Sequence, residues 1–474
     1  MLNKTENLKR SPVKSIKTER EFKKDEFEVN GKKYEFIINP NNMDIIEADN
    51  FNEEEYMQKK VDYVPNISPE GNAPRKRYLC LQPTMACNLD CVYCFTQYYK
   101  DKKADYMSWS TAKKAVDMFI PDSAGKNDQF KVGFFGGEPT CAYPIVRDIV
   151  GYVLGKTAGQ RSQSFHMTTN GTLIDDKWIS LFKRCHWSFI VSIDGPAELH
   201  DKTRVTRNGE GSHAKALEGL KRLSEVSKAI TIRGTFIPDK DMRYLDRVKY
   251  ANELVRQGYG NWVSVEPVQM SESQCLHRED APEKFQEDST AELQKEFFEV
   301  GEWYVQELIA GRKPLLHFID KLIPRLLYKK QSTTECGAAK GYFTVDWKGD
   351  VYACHRLNGT RIGTVWEGID ERLRSQWWNN QIHMRKDCMD CKMRYFCGGG
   401  CRQNSIFNMG DIFTPNPTEC GIRFAMIRMN MYIMARMKEE GKYQLLLDTF
   451  RDPYKDLRGE PEKVKKQCSC GNCK

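Results

Sequence analysis

No run of eighteen apolar residues occurs in the 474-residue chain, so no membrane-spanning helix is expected. The amino terminus is basic and polar and lacks the apolar core of a secretion signal. The expected setting is therefore a cytoplasm, where the 17 cysteines stand as reduced thiols and metal ligands rather than as disulfides. No RNA- or DNA-binding motif with interleaved aromatics is present, and the formal net charge of +8 is modest for this length. It suits a surface that tolerates an acidic partner and argues against nucleic acid. With 40% hydrophobic and 29% charged residues, the chain reads as globular, with two or three domains.

Residues 1 to about 24 are lysine-rich and polar, a stretch expected to be disordered. Phe27 and Val29, then Tyr34, Phe36 and Ile38, alternate with polar residues on either side of Asn30-Gly31, a strong hairpin signal. Met43 to Ala48 offers a third strand and Glu53 to Lys60 a short helix. Pro65, Pro69, Gly71 and Pro74 mark a linker over 61–75. Short apolar runs then alternate with amphipathic helical stretches such as Thr111–Phe119 and Ala214–Val226. The strands are Tyr78–Leu81, Lys131–Phe135, Ser164–Thr168, Phe189–Ile193, Ile230–Phe236 and Trp262–Val265. Six such units make a partial (β/α)6 TIM-like barrel of α/β class, with its active loops at the carboxyl ends of the strands. The expected divisions are a tail and β-rich domain over 1–75, the barrel over 76–284, a helical connector over 285–330, a cysteine-rich module over 331–440, and a polar tail over 441–474.

Cys87, Cys91 and Cys94 form Cys-X3-Cys-X2-Cys, with Tyr93 before the last. Three thiolates so spaced can hold three corners of an iron–sulfur cube and leave the fourth iron open to a small molecule. Zinc is the alternative, but it wants a closed tetrahedral set and the fourth ligand is missing. Gly136-Gly137-Glu138-Pro139 ends the second barrel strand; the glycines admit close backbone approach, and the carboxylate can accept hydrogen bonds from an ammonium. Ser192-Ile193-Asp194-Gly195 ends the fourth strand, with Arg204 downstream. Glu266 leaves the sixth strand, either as a substrate contact or as half of an ion pair. Cys336, Gly349 and Cys354 follow as Cys-X12-Gly-X4-Cys, then Cys388, Cys391, Cys397 and Cys401 as Cys-X2-Cys-X5-Cys-X3-Cys, then Cys420. A zinc ribbon accounts for two of these pairs but not for all seven cysteines. Cys80, Cys141 and Cys185 read as small buried hydrophobes, and Cys468, Cys470 and Cys473 as a thiol-rich end.

Over about residues 77–435 these motifs, in order, resemble the radical S-adenosylmethionine (SAM) enzymes, and the downstream cysteines resemble their SPASM domain. The resemblance implies that Cys87, Cys91 and Cys94 hold a [4Fe–4S] cluster that splits SAM to a 5′-deoxyadenosyl radical. It implies cofactor contacts from Tyr93, Gly136, Gly137, Glu138, Pro139, Ser192 and Arg204, with the motif of Glu138 on the SAM amino group and Arg204 on its carboxylate. It implies two auxiliary [4Fe–4S] clusters: one complete on Cys388, Cys391, Cys397 and Cys420, the other on Cys336, Cys354 and Cys401, one thiolate short. Cys275 or the tail are the candidates for the missing donor. The β-rich amino terminus partly resembles a peptide-recognition domain; the alternative is a small sheet on the barrel edge. Val263–Val268 resembles the sixth-strand segment of thioether-forming peptide maturases. The implied partners are a ribosomally made, cysteine-containing precursor peptide and a reductant such as flavodoxin or ferredoxin. Anaerobic sulfatase maturases, which make formylglycine, are the nearest rival; they place an aspartate base where this chain has His355. Glu266, His355 and Asp194 are the candidate catalytic residues. Carbon–carbon crosslinking, epimerisation and a non-catalytic electron carrier remain alternatives.

Overall fold

The computed structural model describes residues 22–58, 76–96, 105–120, 129–157, 163–237, 243–268, 287–357 and 359–451. The barrel strands are β4 (Lys76–Leu81), β5 (Gln129–Phe134), β6 (Gln163–Thr169), β7 (Trp187–Ser192), β8 (Ile230–Phe236) and β9 (Trp262–Pro267), parallel and in chain order. Before them stand β1 (Lys23–Val29), β2 (Lys32–Asn39) and β3 (Asp44–Glu47), an antiparallel sheet.

Strand alternation sorts the side chains. Phe130, Val132 and Phe134 on β5, Phe165 and Met167 on β6, and Phe189 and Val191 on β7 are buried in one core with Ala112, Val116, Val146 and Val150 of the surrounding helices. The opposite faces look into the barrel. There the Tyr78 ring lies edge-on to His166, with the Lys131 amino group over it. A Cβ at Gly133 would strike that ring at 2.4 Å, so glycine is what lets tyrosine fill the floor of the barrel.

The cysteine-rich module is not a separate bead. Its first strand, β10 (Tyr342–Val345), pairs in parallel with β4, and β11 (Asp350–Tyr352), β12 (Arg361–Thr364) and β13 (Gly368–Ile369) continue antiparallel, so one ten-stranded sheet runs from β13 to β9. A tight turn over Trp347–Asp350 joins β10 to β11, with Gly349 at φ 93°. The Asn30-Gly31 hairpin turn is present, both residues at positive φ.

The amino-terminal sheet sits not on the barrel edge but on the helices Glu287–Ile309 and Pro417–Glu439. Phe27 stacks on Phe298 at 5.0 Å and Tyr34 meets Tyr432 edge-on at 5.2 Å. Asp25, fully buried, pairs with Arg428 at 2.7 Å and Lys392 at 2.6 Å. The start of the expected polar tail is also structured: Tyr443–Thr449 is a helix anchored by Leu446, and Phe450 packs under Lys313. Residues 1–21, the linker, Cys275 and the three tail cysteines lie outside the described residues.

Candidate active site at the carboxyl ends of the barrel strands

The loop after β4 is hung between two other strand ends. On one side Gly137 N–H donates to Thr84 O (3.1 Å) and Glu138 N–H to Ala86 O (2.8 Å); on the other Asp90 N–H donates to Val205 O (2.8 Å) and Val92 N–H to Thr203 O (3.0 Å). This suspension brings Cys87, Cys91 and Cys94 together in a small apolar nest with Leu89, Tyr93, Ile237 and Val268. Burial pushes the Cys87 thiol up, and Glu138, Cys91 and Cys94 push the same way. Such thiols ionise when a metal supplies the charge.

The glycine pair serves the loop as much as any ligand. A Cβ at Gly136 (φ 128°) would meet Thr84 O at 2.4 Å; one at Gly137 would meet Met85 O and Ala86 O at 2.4 Å. Glu138 is 2% exposed, and its carboxylate accepts hydrogen bonds from Thr140 N (3.0 Å), Thr140 Oγ1 (2.6 Å), Thr169 Oγ1 (2.8 Å) and Asn170 N (2.8 Å). Three of those bonds fall on Oε1 and one on Oε2, so the carboxylate caps the helical turn that begins at Pro139 and ties β5 to β6. Asn170, in what reads as a common turn, also donates to Asn88 of the thiol loop at 3.0 Å.

Asp194 differs from a catalytic acid. It is completely buried. It pairs with Arg204 Nε at 3.0 Å and accepts from Thr203 Oγ1 (3.0 Å), Thr235 N (2.8 Å) and the Tyr93 hydroxyl. Burial alone raises its carboxyl, but Arg204, His200 and the hydrogen bonds outweigh that and hold it below the ordinary range. Arg204, 9% exposed, lies over the Tyr93 ring (5.4 Å) with Nη1 3.9 Å from Cys91 Sγ. The fork expected on a cofactor carboxylate thus joins Asp194 to the thiol nest, and Asp194 is a positioning residue.

Glu266 is in a bidentate pair with Arg233 at 3.1 and 2.6 Å and accepts from Ser264 Oγ at 2.9 Å. The pair keeps about two-fifths of each side chain open (38% and 42%), on the strand faces opposite the buried Ile232, Phe236, Val263 and Val265. Ser192, Arg233 and Ser264 stand in register across β7, β8 and β9. Arg233 went unnoticed in the sequence, although its alternation with Ile232 and Phe236 marks it as inward-facing. His355 accepts or donates at Nδ1 to the Tyr342 hydroxyl (3.0 Å) and meets the Phe135 ring edge-on at 4.7 Å. Burial, with Arg356 and Arg233 adding, pushes it down to about 3, so its ring is neutral. Its carbonyl accepts from Gln82 Nε2 at 2.6 Å, which ties this segment to the end of β4.

The remaining cysteines gather as two groups. Burial pushes Cys420 up to about 12, with Cys397, Cys388 and Cys391 adding. Cys354 is pushed up to about 12 by burial and by its neighbours Cys401 and Cys336. Among the described residues no three His, Cys, Asp or Glu side chains converge on a single-ion site; a four-iron cube spreads its thiolates over a larger body. Cys80 is buried, whereas Cys141 and Cys185 are partly exposed.

A parallel partial barrel with three thiols packed beside a Gly-Gly-Glu-Pro loop at its carboxyl end is the architecture of a radical SAM domain. Residues 81–249 match the model of the Radical SAM superfamily. The chain is an enzyme that carries a radical SAM domain over this segment, and the cofactors of that family are a [4Fe–4S] cluster and SAM. It is similar to the cysteine-type anaerobic sulfatase-maturating enzyme of Clostridium novyi (strain NT), 24% identical over 351 residues, which is 71% of this chain and 89% of the relative. It is similar to the serine-type enzyme of Bacteroides thetaiotaomicron, 23% identical over 386 residues, 74% and 87% of the two chains. Native anSMEcpe with bound AdoMet shares its fold, with a TM-score of 0.63 at 18% identity over 77% of this chain and 100% of that one. The same protein with AdoMet and the Kp18Cys peptide gives 0.63 at 17% identity, over 77% and 99%. No helix among the described residues is long and apolar enough to cross a membrane.

Proposed function

We propose that this enzyme is a peptide maturase that joins a cysteine sulfur to a carbon of a ribosomally made precursor peptide as a thioether. The observation that carries the reading is the three-thiol group Cys336, Cys354 and Cys401, with Cys336 exposed. These residues would hold an auxiliary cluster one thiolate short and leave a place for the peptide's thiol. Cys87, Cys91 and Cys94 would hold the first cluster, which with SAM supplies the one-electron chemistry that takes hydrogen from an unactivated carbon. Arg204 and Asp194 hold the nest and Tyr93 in place beside it. Arg233 and Glu266 present a fixed pair of charges to a peptide entering the barrel, and the barrel wall keeps water from the reacting carbon. A solved neighbour holds a peptide, which supports a peptide as the class of substrate.

Sulfatase maturation is the second reading, favoured by the names of the relatives. Against it stands His355, where those enzymes would carry an aspartate base: a buried ring at about 3 is a poor proton acceptor near neutral pH. The test is anaerobic turnover of a cysteine-containing peptide with SAM and dithionite. The expected product is lighter by two hydrogens, keeps its sulfur and no longer reacts with iodoacetamide. A product that has lost sulfur and reacts with a hydrazide defeats the thioether reading in favour of formylglycine; absence of 5′-deoxyadenosine defeats both.

A further inference from the structure

Two guanidiniums are sealed inside the cysteine-rich module with no carboxylate in an ion pair with either among the described residues, although Asp411 acts electrostatically on Arg385. Arg385 is 1% exposed. It donates from Nε to Phe413 O (2.8 Å), from Nη2 to Ser405 Oγ (3.0 Å) and from Nη1 to Gly399 O. Arg402 is 3% exposed. It donates to Gly399 O (2.9 Å), Gly400 O (2.8 Å) and Asn380 O (2.6 Å). Gly398, Gly399 and Gly400 all have positive φ, which folds the chain so that their carbonyls meet Arg402. Arg204, 9% exposed, has Asp194, whereas Arg394, also 9% exposed, binds the carbonyls of Met389 and Cys391 and the Asn41 amide oxygen.

Carbonyl dipoles satisfy the donors of a buried cation but do not cancel its charge, and a desolvated, uncancelled charge is strongly disfavoured. Two side by side are worse. What these cations do face is sulfur. Arg402 Nη1 holds the carbonyls of Gly398, Gly399 and Gly400, the span between Cys397 and Cys401, and its Nη2 meets Thr334 Oγ1 at 3.5 Å, two residues before Cys336. The Cys388 N–H donates to Arg385 O at 3.0 Å, and Cys336, Cys388 and Cys397 act electrostatically on Arg402.

We propose that Arg402, supported by Arg385, is the built-in counter-charge for both auxiliary clusters and holds their reduction potentials high. Its use follows from the electron balance of thioether formation. The carbon gives a hydrogen atom to the SAM-derived group, the thiol gives up a proton, and the carbon–sulfur bond forms with one electron left over. An oxidised auxiliary cluster accepts that electron and becomes reduced by one; a buried cation between the clusters favours this direction. The inference rests on reading these seven cysteines as the ligands of two clusters, and iron counting tests that reading separately.

The experiment uses full-length protein, reconstituted anaerobically, with Cys87, Cys91 and Cys94 replaced by alanine so that only auxiliary iron reports. R402Q and R402K are made in that background, and iron, sulfide and EPR-monitored reduction are measured. R402Q is expected to retain its iron and to titrate at a lower potential by at least tenfold in the reduced-to-oxidised ratio, about 59 mV for one electron. R402K, which keeps the charge, is expected to stay with the parent. R402Q with full iron and an unchanged potential overturns the proposal. Should R402Q load no iron, R402K decides: loading at the parental potential upholds the role of charge, and failure to load overturns it, since a cation at this position is then not what the clusters require. A parent protein without auxiliary iron overturns both the ligand reading and this inference.

Discussion

Replacing Gly137 by alanine tests the reading that the glycine pair exists to admit the thiol loop. The added methyl would sit 2.4 Å from two carbonyl oxygens, those of Met85 and Ala86, where real contacts essentially never fall under 3.0 Å. Both obstacles are backbone, so neither can swing aside, and the loop must retreat by at least about 0.6 Å. Overpacking of this kind costs about 1–3 kcal/mol. The adjoining hydrogen bonds, Gly137 N–H to Thr84 O and Glu138 N–H to Ala86 O, are stretched in the same movement, for about 1 kcal/mol more each if lost. Cys87 follows Ala86 directly, so the first thiol inherits the displacement; a misplacement near 1 Å at a reacting centre costs about 100-fold in rate. Gly137→Ala should therefore melt lower and release 5′-deoxyadenosine about 100-fold more slowly, while its auxiliary iron is unchanged. Gly155→Ala is the control, a helical glycine with nothing within 4 Å of the added methyl, and should be slightly stabilised. Melting and SAM cleavage at wild-type levels in Gly137→Ala would refute the packing argument.

Two further outcomes follow from the buried charges. Asp194→Asn strips Arg204 of its carboxylate in a completely buried setting and should cost about 3–5 kcal/mol in anaerobic denaturant unfolding; a loss below about 1 kcal/mol would mean that the pair is not the anchor described. His166, His200 and His355 are pushed by burial to about 3, about 4 and about 3. They stay neutral in the fold but take up protons in the unfolded chain below about pH 6.5, so their contribution is complete above that pH and is lost as pH falls toward 4 and then 3. Each removes up to about 1.4 kcal/mol per pH unit. Denaturation at about pH 7.5 and 5.5 should differ by about 4 kcal/mol from these three residues, and His166→Gln should take away about a third of the difference; equal midpoints at both pH values would refute it.

The barrel strands were legible because alternation and spacing are local properties. Lys131–Phe135 and Phe189–Ile193 fall within a residue or two of β5 and β7, and the Asn30-Gly31 turn carries its own geometry. What the local pattern does not show is side chains whose partners are remote in the chain. Glu138 is also tied to Thr169 and Asn170, more than thirty residues away. Asp194 reads as a catalytic acid until Tyr93 and Arg204 converge on it. Leu445, Leu446 and Leu447, with Phe450, make an apolar run too short to announce a docked helix.

The sequence by itself determined the class of chemistry, because three thiols within eight residues, two glycines at a strand end and a set of spaced cysteines are covalent facts that the backbone presents in any compact form. Only the tertiary structure decided that β10 joins β4, that the first sheet rests on the carboxyl-terminal helices, and that each buried charge finds its counterpart or lacks one. Those outcomes depend on which desolvated groups meet across long stretches of chain, and burial sets the strength of each pairing; neither quantity is written in a local pattern.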